Sequence, residues 1–526
     1  MPNKKVIFLL DNPLRDLPGL VLIASQCAEN NIDVYLVPMN LAYYNRLEEV
    51  LRICPDAILM NYLRVSNSGF VKSINQLGIP IFVLDTEGGM LTDCSIYTRN
   101  LDKLRDLYRI IVRYFSWGRT LADFLVEKQA YRPQQVQITG SPRHDFYVKP
   151  WKAVALKGND FPTAPDRAQI ILLNSNFPTI NPAFQDARSE KDNLVRLHGL
   201  TEEEAEGICR TQEQALKDFV EIANTLAREF PKATVVFRPH PFESEEPYKR
   251  LLDRRENLVL IKKGTVDGWI LKSACVVQRG CSTAIEAGIA GVPTLSPLWV
   301  PMHLPQPAAE SVSVPCSSLS SLVDSVRSVL AGTFEVPNAA KENIGLVVEN
   351  WFHCRDGQAH HRVAGGLVEA VQLGGLSKET AGKVKSLYRS FMSFSLRERV
   401  KGLIGALAGW EPDWAWVNLR QKSKAATTRV RPSLRERFRA FAGFILGFPR
   451  NHAWFTPHYG QWPSVFGWKS GPKAFSVEDV RRNLEWIALE AGGRWNSVEA
   501  SQCEPGRDYR FGDHAGVSVK IHKKNS

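Results

Sequence analysis

Four short segments at the ends of predicted strands carry the residues best able to do chemistry. Arg238-Pro239-His240-Pro241 follows an apolar run. Both Arg238 and His240 precede proline, which pushes them toward extended backbone, and residues two apart on an extended chain point to one side. A guanidinium fork and an imidazole facing one cavity suit a phosphate. The arginine holds its oxygens, and the histidine offers a leaving phosphate a hydrogen bond or a proton. The second segment, Asp85-Thr86-Glu87-Gly88-Gly89, sets two carboxylates within three residues, and Gly88 and Gly89 let a substrate approach the backbone. Either Asp85 or Glu87 could serve as a general base.

The third segment runs from 275 to 297. A short apolar strand is followed by Arg279 and Gly280 in a turn, then by Ser282 and Thr283 where a helix begins. Unpaired amides at a helix start, with two hydroxyls and an arginine beside them, form an anion site. Glu286 stands three residues after Thr283, as in a capping box, and could instead accept from ribose hydroxyls. A plain capped strand-to-helix turn is the alternative reading of this stretch. The fourth segment, 139–145, contains Gly140-Ser141-Pro142-Arg143. It reads as a structural turn whose Arg143 could help to close a cleft.

Elements that would position these loops follow from the hydrophobic pattern. Strands are expected at 4–10, 33–37, 57–60, 79–84, 111–117 and 136–139, alternating with helical patterns such as 17–29 and 121–129. Asp11-Asn12-Pro13 follows the first strand, so the G-x-G-x-x-G fingerprint is absent. A Pro-, Lys- and Asp-rich linker at 150–167 separates this series from a second, with strands at 170–174, 233–237, 258–261 and 275–277 and a long helix over 201–230. The fold class expected is α/β, with two facing Rossmann-like doubly wound domains and a helical, basic C-terminal extension. The units are 1–150 on the acceptor side, 168–375 on the nucleotide-sugar side, and 376–526; within the last, 451–526 carries no assigned role.

Composition bounds the remaining choices. A chain of 526 residues with 44% hydrophobic and 23% charged residues is globular and of multi-domain size. Its nine cysteines include no pair at the close spacing of a zinc or redox site, so buried thiols in a reducing compartment are expected and no metal is assigned. No apolar stretch is long enough for a signal peptide or a membrane span, and the expected location is the cytoplasm. The net charge of +11 is concentrated near the C-terminus and accompanies apolar stripes rather than a nucleic-acid motif, so nucleic acid is not an expected partner.

Taken together, the loops resemble the bacterial surface carbohydrate biosynthesis proteins, glycosyltransferases of the GT-B type, and more distantly the capsule Kdo transferases and bacterial sialyltransferases that use CMP-activated sugars. Thr86-Glu87-Gly88 is similar to an acid-acid-Gly motif that supplies a general base. His240-Pro241 is similar to an HP motif at the donor phosphate, and Ser282-Thr283 to a hydroxyl motif at the same phosphate. Gly140-Ser141-Pro142-Arg143 and Asp356-Gly357 also look like family segments, and the resemblance covers about residues 5–375. It departs at Thr86, which stands where the first acid would be. The resemblance implies a metal-independent glycosyltransferase without a cofactor, acting on a nucleotide-sugar donor and a glycan or lipid-linked acceptor. A nucleotide-sugar epimerase, a polyol-phosphate transferase and a non-catalytic assembly scaffold remain as rivals.

The C-terminal region repeats itself. SLRERVKGLIGALAGW at 395–410 aligns without gaps with SLRERFRAFAGFILGF at 433–448, and each copy opens with a capping-box pattern. Leu396, Val400, Leu403, Ile404, Leu407 and Trp410 in the first copy, and Leu434, Phe438, Phe441, Ala442, Ile445 and Phe448 in the second, fall at helical spacing. Trp410, Trp414 and Trp416 lie between them. Two readings stay open: the stripes pack on the core, or residues 395–450 dock peripherally on the inner-membrane surface without spanning it.

Overall fold

The computed structural model describes residues 3–524 except 40, 42, 90–93, 160, 162–168, 184–185, 199, 303–305, 394–395, 397–398, 401–402, 405–406, 408–433, 447–473, 504–508 and 512–513. The strand–helix alternation builds two sheets. In the first, β1 (Lys4–Leu10), β2 (Ile32–Pro38), β3 (Ala57–Met60), β4 (Ile81–Leu84), β5 (Ile111–Ser116) and β6 (Val136–Ile138) run parallel in the order β2-β1-β3-β4-β5-β6. In the second, β7 (Ile170–Asn174), β8 (Thr234–Arg238), β9 (Leu258–Leu260), β10 (Cys275–Val277), β11 (Thr294–Pro297) and β12 (Val314–Cys316) run parallel in the order β12-β11-β10-β7-β8-β9. The chain reverses its direction of travel between β1 and β3 in one sheet and between β7 and β10 in the other. Connections leave such a point toward opposite faces, which opens a crevice at the carboxyl ends of the strands. These are two Rossmann-like doubly wound domains.

The strands are apolar on both faces because both faces are covered. Val6, Phe8 and Leu10 of β1 join a core that also contains Leu172, Val236 and Val276 of the second sheet, so one apolar cluster runs through both domains. Ile7 and Leu9 point the other way into a second cluster, which Val384 of a later helix joins, and Val235, Phe237, Cys275 and Val277 into a third within the second domain. The period of two along each strand produces this division. Helix Glu202–Glu229 opens with a capping box between Thr201 and Glu204, as its acidic start suggests. The 150–167 stretch includes a helix, Lys152–Lys157, that buries Val154 and Ala155 and packs against helix Val266–Lys272.

Two later segments return to the first domain. Helix Ala359–Gly374 packs on helix Pro13–Glu29. Its start is held by Asp145, whose carboxylate accepts from the N–H groups of Ala359 at 3.0 Å and His360 at 2.9 Å and meets the His360 ring at 2.8 Å. Residues within 451–526 complete the first sheet. β13 (Val498–Gln502) pairs antiparallel with β16 (Val519–Lys523), and β16 pairs antiparallel with β2, while β14 (Tyr509–Phe511) and β15 (His514–Gly516) make a separate hairpin. Val519 and Ile521 bury their side chains and cover the open edge of β2. Helix Val477–Glu490 seals this addition against helix Pro13–Glu29 through Val480, Leu484 and Ile487.

Candidate functional site

The two crevices face each other across a cavity of about 390 Å³, within the usual ~300–1,000 Å³ of small-molecule sites. Asn12, Arg15, Glu87, Arg143 and Tyr147 line it from the first domain. Asn174, Ser175, Arg238, His240, Pro241, Asp267, Ser282 and Thr283 line it from the second. All of these lie at or beyond strand carboxyl ends, where the reversal of strand order leaves space.

The proline-framed loop behaves as the sequence suggests at His240 and differently at Arg238. His240 Nδ1 accepts from the Phe242 N–H at 3.2 Å, which places the proton of the neutral ring on Nε2. Burial, with help from Lys262 and Arg15, lowers the imidazolium to about 4. The ring is therefore a neutral N–H donor at the cavity. Arg238 also lines the cavity, but its guanidinium donates to the Lys263 and Gly264 carbonyls at 2.7 and 2.6 Å. It braces the loop that carries Asp267. Burial lowers it to about 10, and Asp267 opposes that shift. The loop's anchor is Glu243, fully buried and absent from the sequence reading. It accepts from the His240 N–H at 3.2 Å, the Phe177 N–H at 2.8 Å, the Ser175 hydroxyl and the Tyr248 hydroxyl. One carboxylate thus ties the His240 loop to the end of β7.

In the acid loop the two carboxylates take different places. Asp85 is buried behind the loop, accepts from the Glu87 N–H at 2.9 Å and faces Arg64 at 3.4 Å; burial raises its carboxyl above the usual range. Glu87 reaches the cavity between Arg15 at 3.3 Å and Arg64 at 2.8 Å. Burial works to raise its carboxyl, but the two guanidiniums prevail and hold it below the usual range. Thr86, at the first acidic place of the motif that this loop resembles, accepts from Arg15 at 3.1 Å. Gly88 and Gly89 do not line the cavity. A Cβ on Gly89 would lie 3.0 Å from the Trp117 ring and 3.2 Å from the Trp351 carbonyl, so this glycine is required by packing rather than by substrate approach.

At the third segment the backbone matches expectation and the side chains partly do not. Helix Thr283–Ala290 starts at the cavity and ends at Gly291, whose φ of 76° is the left-handed cap conformation that glycine favours. Ser282 and Thr283 line the cavity; the Ser282 N–H meets no acceptor among the described residues, while the Thr283 N–H and hydroxyl face the Cys281 sulfur, the hydroxyl at 3.2 Å. Thr283 Oγ1 accepts from Asn174 at 3.2 Å. The capping box between Thr283 and Glu286 does not form. Glu286 turns away from the helix start, pairs with Arg143 and accepts from the Tyr147 hydroxyl at 2.8 Å. It bridges the domains, and burial raises its carboxyl. Arg143 thereby takes the cleft-closing position. Arg279 and Gly280 lie outside the cavity. Arg279 pairs with Glu310 and donates to the Val300 carbonyl at 2.9 Å, and the Gly280 N–H donates to Glu310 at 3.0 Å.

Sequence reasoning passed over Arg15, Asn174, Asp267 and Glu243. Two of them had a usable signal. Asn12-Pro13 is a helix-start pattern directly after β1, which puts Arg15 in the first turn at the switch point. Asn174 and Ser175 follow the apolar run of β7 in the same way. Among the described residues no group of His, Cys, Asp or Glu is arranged to hold a metal ion.

The fold and site define a class, two-domain Rossmann-like proteins with a small-molecule cavity between the domains. No family model and no curated protein sequence matches the chain. Among solved structures it is similar to a putative UDP-N-acetylglucosamine 2-epimerase from Listeria monocytogenes, at 13% identity over 70% of this chain and 97% of that one, with a TM-score of 0.47. It is similar also to the UDP-GlcNAc 2-epimerase from Neisseria meningitidis bound to UDP-GlcNAc, at 14% identity over 69% and 100% with a TM-score of 0.44. A third is the wall teichoic acid polymerase TagF, at 12% identity over 71% and 90% with a TM-score of 0.44. At these identities and scores no activity or substrate transfers to this chain.

Proposed function

We propose that the chain is a glycosyltransferase that takes a sugar from a nucleotide-activated donor to a glycan or lipid-linked hydroxyl. The observation that carries this reading is that an ionised carboxylate and a neutral imidazole N–H enter one cavity from opposite domains. Donor phosphate would meet the start of helix Thr283–Ala290, where the Ser282 and Thr283 amides and hydroxyls are grouped. His240 would donate from Nε2 to the leaving phosphate, stabilising charge as it develops. Glu87, already ionised, would remove the acceptor proton, and Asp85 would hold the loop from behind. A CMP-linked donor follows only from the resemblance of the short motifs.

A nucleotide-sugar epimerase is the second reading, and one feature favours it. Glu87, His240, Ser282 and Thr283 all line the same cavity, and an epimerase requires only the nucleotide sugar there. A thermal-shift series with CMP, UDP, GDP and CDP ligands identifies the nucleotide, since a ligand that binds only the folded state raises the melting temperature. Incubation with that nucleotide's sugars in D₂O then separates the readings. Nucleotide release only when acceptor is added supports transfer. Deuterium entering the sugar without acceptor overturns transfer in favour of epimerisation.

A further inference from the structure

The two amphipathic repeats near the C-terminus are not absorbed by the cavity or by either domain core. Packing on the core would require their apolar stripes to be covered; among the described residues Leu403, Phe441 and Ala442 are half-buried and the remaining stripe residues are exposed. In the second copy, helix Leu434–Leu446, Leu434 is 79% exposed, Phe438 73% and Ile445 58%. In the first copy Leu396 is 79% exposed, Ile404 50% and Leu407 66%, each in helical backbone. The second helix is nevertheless seated, because Ala440 and Phe444 on another face are buried. The copies touch each other where Arg437 donates to the Leu407 carbonyl. Two apolar stripes thus stand side by side and face outward, on a protein with no described helix long and apolar enough to cross a membrane.

Charge selects the occupant. Residues 396–450 hold twelve Lys or Arg against four Asp or Glu. At about 100° per residue, Arg435 and Arg437 flank the second stripe on opposite sides; Arg435 is exposed, while Arg437 reaches across to the first copy. A protein partner would have to supply both an apolar groove and an acidic rim; an anionic lipid surface supplies both together, the acyl boundary beneath the phosphates. We propose that the outward-facing Leu396, Ile404 and Leu407 of the first copy and Leu434, Phe438 and Ile445 of the second dock peripherally on an anionic phospholipid membrane, inserted at the headgroup boundary with Arg435 beside them on the phosphates. This is independent of the sugar chemistry. Trp410, Trp414, Trp416 and Phe448, and both capping-box serines, lie outside the described residues.

The test is co-sedimentation of the full chain with vesicles of phosphatidylcholine alone and with phosphatidylglycerol added. The parent protein is expected to pellet with the anionic vesicles only, and less as salt is raised. Leu434→Glu/Phe438→Glu should lower that partitioning on the order of tenfold or more, because it removes buried apolar area and adds repelled charge. An unchanged melting temperature without added ligand verifies that this variant is folded, and Leu396→Glu/Leu407→Glu in the other copy should repeat the loss. No pelleting, equal pelleting with neutral vesicles, or full binding by both variants overturns the proposal. So does a solution dimer that the same substitutions dissociate in the absence of any lipid binding, since a second copy would then cover the stripes.

Discussion

Replacing His240 separates two ways in which an imidazole could assist a leaving phosphate. With Nδ1 accepting from the Phe242 N–H at 3.2 Å and the imidazolium lowered to about 4, His240 at neutral pH has an Nε2–H and no spare proton. It should act as a hydrogen-bond donor. Losing one such donor costs about 10²–10³ in kcat, or roughly 2.7–4 kcal/mol of transition-state stabilisation. His240→Ala should show that loss. The fold should lose only about 1 kcal/mol with the Phe242 bond, because Glu243 still holds the loop backbone. His240→Gln can place an amide N–H near the Nε2 position and should retain more activity than the alanine variant, by about tenfold or more. The assay is nucleotide release at saturating donor across pH. A neutral donor gives a rate that does not fall as pH rises through 6.5, whereas a proton donor with an ordinary histidine value would lose activity there. Unchanged turnover in a folded His240→Ala protein refutes the role outright. Equal inactivity of the Ala and Gln variants with a rate falling above pH 6.5 refutes the donor mechanism. The same lowered value has a stability consequence: below about 6.5 the unfolded chain takes up a proton that folded His240 refuses, so stability is complete above that pH and declines as pH falls toward 4.

Glu87→Gln should keep donor binding and lose on the order of 10²-fold or more in turnover, while Asp85→Asn should act mainly on melting temperature. Full activity in both variants removes the acid loop from the chemistry. Because Arg64 and Arg15 hold Glu87 below the usual carboxylate range, activity that depends on its ionised form should persist as pH falls to about 4.3, the ordinary glutamate value. Arg143→Ala leaves buried Glu286 with Tyr147, and removing one partner of a buried pair costs about 3–5 kcal/mol; protonation of a carboxyl that burial already raises should hold the loss near the lower end. Urea unfolding measures it, and a change within about 0.5 kcal/mol, as at an ordinary surface site, would show that the bridge does not stabilise the domain pair. Arg279→Ala should lower stability through the lost Glu310 pair and leave nucleotide affinity unchanged; tenfold weaker binding with an unaltered melting temperature would put Arg279 back at the ligand.

By itself the sequence determined the elements and their class, because these depend on local pattern. Apolar runs of strand length alternating with helical periods specify parallel sheets covered on both faces, and most of the expected strands appear within two residues of their expected bounds. The positions of the chemical loops were legible for the same reason: a loop that follows a buried parallel strand must emerge at its carboxyl end. That brought His240, Ser282, Thr283 and Glu87 to one cavity. Directions and partners were decided only in three dimensions. Glu286 has the spacing of a helix cap, yet Arg143, 143 positions away, and Tyr147 offer a buried carboxylate more than a single backbone amide does. Asp85 and Glu87 are equivalent on paper; Arg15 and Arg64, from the ends of two other strands, make one a brace and the other the ionised acid at the cavity. Glu243 had no readable role, because it depends on donors from β7, the His240 loop and Tyr248 meeting at one buried point. β16 needed the open edge of β2, which exists only after the first domain has folded. The terminal stripes show the same limit: helical spacing specified which residues share a face, and the tertiary structure decided that the face is turned outward.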